Sequence, residues 1–430
     1  MPLGNLGFTF RALSYRNYRL FFIGQGVSLI GTWMQRTAMG WLVYRLTGSA
    51  LLLGAVEFFN TIPFLFVTPF AGVFADRWNR HRMVILLQTL SMLQAFILAL
   101  LVLLDAIQIW HIFTLSLFLG VINSLDMPIR QAFVIDMLDK KEDIGNAIAL
   151  NSSLFNSARI IGPSIAGIAI AVVGEGWCFF LNAVSFLAVI FALFAMRIGG
   201  MKKEVPQHHV FREIADGFSY TFRSYPIRSV LLLISLISLV GLPYHVLMPV
   251  MAKDVLQGDS RTLGFLLTFI GIGALIGAYF LASRRELRGL EKKIAMASFI
   301  FSIGLMVFSL SRNMILSGII LVFCGFGLMV QMASSNTLLQ TITDEDKRGR
   351  VLSYYILSFQ GASAFGVFIA GALAEKIGAP HTMLLGGACC VIGVLFFTRK
   401  LPVLHKMIYD IYLKKGLAPA EQPVVAPIPK

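Results

Sequence analysis

Apolar residues run through the 430-residue chain in long blocks divided by short polar segments, not at the alternating or one-faced spacing of a water-soluble fold. A bilayer core needs about 20 apolar residues per helix. The blocks predict twelve such spans: 19–44, 50–75, 83–104, 108–133, 144–173 and 177–196, then 229–252, 262–283, 294–311, 313–338, 350–376 and 381–398. Hydrocarbon offers the backbone no hydrogen-bond partner, so an open chain crosses it only as helix. The expected fold class is an all-α membrane protein with 12 transmembrane helices.

The longest polar interruption, from about Arg197 to Arg228, divides the spans six and six. It predicts an N-terminal six-helix bundle over 1–196, a cytoplasmic linker over 197–228, a C-terminal six-helix bundle over 229–399 and a cytoplasmic tail over 400–430. In the linker, Phe211, Ile214, Phe218 and Phe222 recur at helical spacing, with Arg212, Glu213, Asp216 and Arg223 elsewhere on the wheel. That pattern predicts a short amphipathic helix at the membrane face. The tail ends in EQPVVAPIPK, a composition that favours disorder.

The two halves repeat. LTGSALLLG (46–54) matches LQGDSRTLG (256–264) at Leu, Gly, Leu and Gly. Gly145, Gly162, Ala166, Gly167 and Gly174 recur at one constant offset as Gly349, Gly366, Ala370, Gly371 and Gly378. Small residues serve close helix packing in membranes. Two parallel six-helix repeats, pseudo-symmetric about a shared polar cavity, point to a transporter.

Composition agrees: 57% of residues are hydrophobic and 13% charged, where a soluble domain carries about 25% charged residues. The net charge of +14 sits mostly on segments sharing a side with both termini. The positive-inside rule then puts both termini in the cytoplasm. The basic balance thus signals orientation, with some attraction to anionic lipid heads, and no nucleic-acid partner is expected. The N-terminal stretch lacks a signal peptide's compact apolar region and cleavage site, so the first span stays in the fold. Cys178, Cys324, Cys389 and Cys390 show no metal-ligand spacing. The seven histidines are scattered, and the glycine run GIGALIG (271–277) follows no strand, which argues against an embedded enzyme or a nucleotide site. Neither a cofactor nor a metal is expected.

The loop GVFADRWNRHR (72–82) resembles a cytoplasmic signature of the major facilitator superfamily, with Gly72, Asp76, Arg77, Arg80 and Arg82 in the matching positions. Asn79 stands where that family usually has Gly; asparagine also tolerates a left-handed turn. The stretch SARIIGPSIAG (157–167) resembles the fifth-helix signature of drug:proton antiporters, through Ala158, Gly162, Pro163, Ala166 and Gly167, two glycines having become alanines. Further phrases, LPYHVLMPVMAKDVL, PIRQAF and DEDKRGR, are similar to the branch holding macrolide-efflux and enterobactin-exporter-like proteins. The family's usual fourth-helix arginine is missing, since Ser116 precedes Gly120 at that spacing.

The resemblance implies the major facilitator fold and secondary active transport. Proton-coupled export of an amphiphilic small molecule, drug or siderophore-like, is expected, by a monomer in a bacterial inner membrane. Uptake, or lipid movement by the same fold, is the alternative. Gating is expected from the 72–82 loop, from Asp126 and Arg130 acting with Asp76, and from Gly162, Pro163 and Gly167, whose packing would close the cavity.

Charges inside the membrane are the other candidates. A mid-span arginine costs about 2.5–3.5 kcal/mol on insertion scales, so it should face a cavity or a partner. Arg159 is central in its span and is expected to meet an anionic substrate or a nearby proton carrier. Arg36 and Glu57 reach similar depth and can pair, and His245, beside Gly241 and Pro243, lies near them. Glu57 and His245 are the expected proton-coupling residues. Asn60, Asn123, Asn151, Asn156, Tyr244, Gln331, Tyr355 and Gln360 complete the expected cavity lining, with Gln25 and Asn336 as further polar candidates.

Overall fold

The computed structural model describes residues 10–197, 220–283 and 289–415, with the side chains of 69–77, Lys141 and Asp346 excepted. The first six long helices are α1 Arg16–Thr47, α2 Ala50–Arg77, α3 Arg80–Leu103, α4 Ile109–Asp136, α5 Ile144–Val173 and α6 Glu175–Phe194. The second six are α7 Tyr225–Val255, α8 Ser260–Ala282, α9 Leu290–Leu310, α10 Met314–Ile342, α11 Arg348–Ile377 and α12 Ala379–Arg399. Among the described residues 11 helices are long and apolar enough to cross a membrane. Helix α1, at 32 residues, has the length, but Gln25, Gln35, Arg36 and Arg45 dilute its apolar character. The twelve-helix all-α fold is the one the hydropathy predicts.

Helix boundaries follow from local chemistry. Asp259 Oδ1 accepts from the Arg261 and Thr262 amides at 2.9 and 3.3 Å, starting α8. Asn313 caps α10 in the same way at 2.9 and 3.1 Å. Such side chains satisfy amides that the first turn leaves unpaired. Asn79 is also a cap: it is extended, at φ −68° and ψ 110°, and accepts from the Arg82 amide at 3.1 Å. The left-handed turn expected there does not form, because capping supplies the reason for asparagine. Helix α7 departs most from the expected plain span. It runs through a π-turn (Ile237–Gly241), a 3-10 turn (Leu242–His245) and a second π-turn (Met251–Val255). Pro243 and Pro249 remove backbone donors within that stretch.

Within the first bundle α1 packs on α5 and α6, α3 on α4 and α6, and α2 on α4; within the second, α10 packs on α8 and α9, and α9 on α12. Buried amides stitch the first bundle. Asn182 Nδ2 donates to Gln35 Oε1 at 2.8 Å, and Gln35 Nε2 donates to Gln94 Oε1 at 3.0 Å, linking α6, α1 and α3. Two extensive contacts cross between bundles, α5 on α8 and α2 on α11.

Those crossings explain the sequence repeat. A Cβ on Gly167 would lie 3.0 Å from Gly264 Cα, and one on Gly54 would lie 3.0 Å from Gly371 Cα. Gly54 is the repeat mate of Gly264, and Gly167 of Gly371, so one contact is the pseudo-symmetric copy of the other. Gly162 and Gly366 are likewise equivalent: the first packs on Ile30 and Trp33 of α1, the second on Leu239 of α7. Gly174 and Gly378 both take positive φ, 85° and 84°, at matching turns. Both crossings are antiparallel, so the two described ends of the chain share one face, here called the terminal face. The glycine crossings lie towards the opposite, far face.

The expected tail begins with a further helix, α13 Leu401–Lys414, whose Leu404, Ile408 and Tyr412 are buried at four-residue spacing. His405 Nδ1 lies 2.7 Å from Oε1 of the buried Glu291. Lys415 Nζ donates to the Thr341 and Thr343 carbonyls at 3.0 and 2.6 Å, capping the end of α10. Burial, with Glu291 nearby, pushes the Tyr412 phenol up to about 12. The linker helix expected over 211–222 lies mostly outside the described residues, as does EQPVVAPIPK. Helix α13 is thus part of the second bundle's packing. Ile408→Ala should cost roughly 2–5 kcal/mol of stability and lower the detergent melting temperature at matched scan rate; an unchanged melt would mean the helix adds no support.

Candidate functional site

Arg36, Glu57 and His245 come together between the bundles. Arg36 Nη2 donates to Glu57 Oε1 at 2.5 Å, joining α1 to α2. His245 Nε2, from α7 of the other bundle, lies 3.4 Å from Arg36 Nη2 and 3.8 Å from Glu57 Oε1. The other ring nitrogen settles the tautomer. His245 Nδ1 faces the Leu242 carbonyl at 2.6 Å, and a carbonyl only accepts, so Nδ1 carries the proton and Nε2 is the atom that can gain one. Neutral, Nε2 accepts from Arg36; protonated, it turns a charged N–H towards Glu57.

Arg36 is 46% exposed although its partners come from both bundles. The space between the bundles is therefore open to solvent at this depth. Above it the far face is sealed. Gly40 approaches Pro249, a Cβ there falling 3.4 Å from the ring, and Tyr44 Oη donates to Asp254 Oδ2. Glu375 Oε2 accepts from Ser49 Oγ at 3.0 Å and from the Leu51 amide at 3.1 Å. A carboxylate of one bundle thereby caps the first turn of a helix in the other, where the dipole favours it. On the second crossing Ser260 Oγ donates to the Gly167 carbonyl at 3.0 Å, and Ser164 and Thr268 hydroxyls lie 2.6 Å apart. The space opens towards the terminal face.

A family model described as "Transmembrane secretion effector" matches residues 8–413. The chain belongs to this family, within the major facilitator superfamily. It is 26% identical over 389 residues to the staphyloferrin A transporter of Staphylococcus aureus, covering 89% of this chain and 96% of that protein. It is 23% identical to macrolide efflux protein A of Streptococcus pyogenes, over 88% of this chain and 95% of that one. Its fold is similar to a bacterial homologue of the iron transporter ferroportin in an inward-facing state, at TM-score 0.70 and 18% identity, over 89% of this chain and 98% of that one. Like these, it is a multi-pass membrane transporter and not an enzyme.

Other members of the expected site fall in several places. Arg159 Nη2 donates to Asn156 Oδ1 at 2.9 Å, and Arg159 lies within electrostatic reach of Tyr244 on α7. Gln331 is buried and bonds Ser335 at 3.4 Å; Tyr355 Oη donates to the Met332 carbonyl at 3.4 Å. Gln360 sits in the π-turn of α11, Leu357–Gly361. Asn60 Oδ1 is buried without a protein partner, as is Gln25 Oε1, and Asn123 is half-buried. Asn336 accepts from Gln340 on its own helix. Asn151 is engaged by Tyr18 Oη at 3.1 Å inside the first bundle.

The expected gate is arranged differently. Asp126 holds Arg130 at 3.0 Å and Gln88 at 2.9 Å, clamping α4 to α3 within one bundle. Arg80 Nη1 reaches Asp136 at 3.3 Å. Gly72, Asp76 and Arg77 belong to α2, but their side chains lie outside the described residues, and the Asp76 partnership with them; Arg82 contributes its amide to the Asn79 cap. Gly162 does not cross to the other bundle, because its surface is occupied by α1. Gly167 and the Pro163 carbonyl, 2.6 Å from a Cβ on Gly264, make the crossing instead. Tyr44, Asp254, Ser49 and Glu375 escaped sequence reasoning; their one signal is a carboxylate within a turn of a span's end.

Gly264→Leu should keep both bundles folded and pry the far face open. In a background lacking Cys389, a cysteine at Ser260, buried here, should then react with an impermeant maleimide added to that face. Gly162→Leu should instead lower expression and melting. Unaltered labelling in Gly264→Leu would show that the crossing does not govern closure.

Proposed function

We propose that this chain exports amphiphilic small molecules, drug or siderophore-like, from the bacterial cytoplasm in exchange for protons. Both ends face the cytoplasm, so the space between the bundles opens inward, and one monomer carries out the whole cycle. The observation that carries this reading is the Arg36–Glu57–His245 cluster, which straddles the two bodies that must rock against each other. Efflux and secretion among relatives support export over uptake.

The cluster works as a coupling element because both of its contacts across the bundles are made by one atom, His245 Nε2, and both change when that atom gains a proton. Arg36 and Glu57 move together, on α1 and α2. His245 moves with α7. A proton on Nε2 ends the hydrogen bond from Arg36, 3.4 Å away, and creates a cation that Arg36 repels and Glu57, at 3.8 Å, attracts; its loss restores the bond from Arg36. Proton occupancy therefore biases the two orientations, as an exchanger requires.

The test uses vesicles holding the parent, Glu57→Gln or His245→Gln, with an imposed pH gradient and a panel of dyes, antibiotics and siderophores. For any compound the parent concentrates, each variant should lose gradient-driven transport by about tenfold or more, while downhill exchange persists. If both variants still concentrate it, protons do not couple through this cluster.

A further inference from the structure

The charges between the bundles are unequal. Arg36 is answered by Glu57, but Arg159 is not answered by any carboxylate among the described residues. Its one side-chain hydrogen bond goes to neutral Asn156 on its own helix, and its Nε, fully buried, has no partner. A guanidinium so placed is costly unless something anionic meets it.

Three partners come into question. Lipid headgroups are out of reach, because the lipid face of α5 carries the exposed Ile161, Ile165, Ile168 and Val172, and at 100° per residue Arg159 projects from the opposite side. The proton-carrying cluster is already committed, with Glu57 held by Arg36 at 2.5 Å. That leaves the solute. One turn towards the terminal face Phe155 is 45% exposed and stands edge-on to Trp33, with ring centroids 5.6 Å apart. Arg159 thus sits at the end of an aromatic wall reached from the open side.

We infer that the transported solute is an amphiphilic carboxylate, whose anionic group docks on Arg159 and whose apolar body lies against Phe155 and Trp33. This rests on the transport reading above and adds the charge class of its substrate. Asn156 takes one N–H of Nη2 and fixes the guanidinium plane, so the remaining Nη N–H groups are held in a fixed plane to meet a carboxylate. A neutral or cationic solute of the same shape would leave the arginine unanswered and bind more weakly.

Matched probes isolate the charge. Purified full-length protein in detergent is titrated with fluorescent dansyl-phenylalanine and with its carboxamide, which differ by one ionised group. The parent should bind the acid at least about tenfold more tightly than the amide. Arg159→Gln should bring the two together, and Arg159→Lys should keep part of the preference. Equal binding by the parent, or no binding of either probe, overturns the inference, as does a preference that survives Arg159→Gln in a variant melting like the parent. Should that variant fail to fold, the parent's acid–amide comparison decides alone. Flux of the acid from vesicles under a pH gradient is measured in parallel. Acid binding without flux would defeat the transport reading and leave the anion site standing; flux without acid preference would do the reverse.

Discussion

An ionised group inside hydrocarbon must be answered by the protein, and this constraint orders the molecule. Arg45 is met by Glu175 at 2.7 Å near the far face, Asp126 by Arg130 and Gln88 near the terminal face, and Arg36 by Glu57 between them. Uncharged amides obey the same rule: Gln35, Gln94 and Asn182 close a chain of hydrogen bonds that fixes three helices in one register. Each such bond is worth about 1 kcal/mol net when made and costs more when one partner is left behind. The first bundle is consequently stiff. Among the buried atoms left unanswered, Arg159 Nε and Asn60 Oδ1 are on helices that also face the second bundle, whereas Gln88 Oε1 lies on α3.

Rigidity within a bundle allows motion between bundles. Both crossings are made where backbones touch over glycine, so dispersion contacts there are dense. The polar contacts added on top are few and mostly end-on: a carboxylate capping a first turn, a tyrosine on an aspartate, a serine on a carbonyl. None requires an ion to leave a buried pair. A seam held this way can open without stranding a charge, unlike the Asp126 clamp or the Gln35 network. Pseudo-symmetry then implies an equivalent closure at the terminal face when the far face parts.

Much of this was legible in the chain. Twelve apolar blocks gave the helices, and the constant offset of five small residues gave the twofold relation before any contact was visible. Depth counting alone put Arg36, Glu57 and His245 at one level, because a helix rises 1.5 Å per residue whatever surrounds it. Which glycine faced which helix was not legible: Gly162 and Gly167 differ by 140° on the wheel, and only packing tells α1 from α8. Nor was the irregular course of α7, where two prolines permit but do not dictate π and 3-10 turns. The latch residues Tyr44, Asp254 and Glu375 were hidden for another reason. Carboxylates at span ends are ordinary, and only the fold shows that these two accept from the opposite bundle.

The irregular stretch of α7 is where proton and solute meet in the proposed cycle. Tyr244 and His245 are consecutive residues of one 3-10 turn, yet they lie near different arginines, Tyr244 within electrostatic reach of Arg159 and His245 3.4 Å from Arg36. In a regular helix neighbours point 100° apart with backbone bonds holding that angle. Here Pro243 withholds a donor, and a π-turn lies on either side of the segment. In the proposed cycle a proton drawing His245 towards Glu57 moves Tyr244 relative to Arg159, and an anion settling on Arg159 resists or assists that movement. By linkage the two effects must be equal in free energy. In the proposed cycle exchange then needs no direct contact between proton and cargo, since one short turn of backbone is read by both.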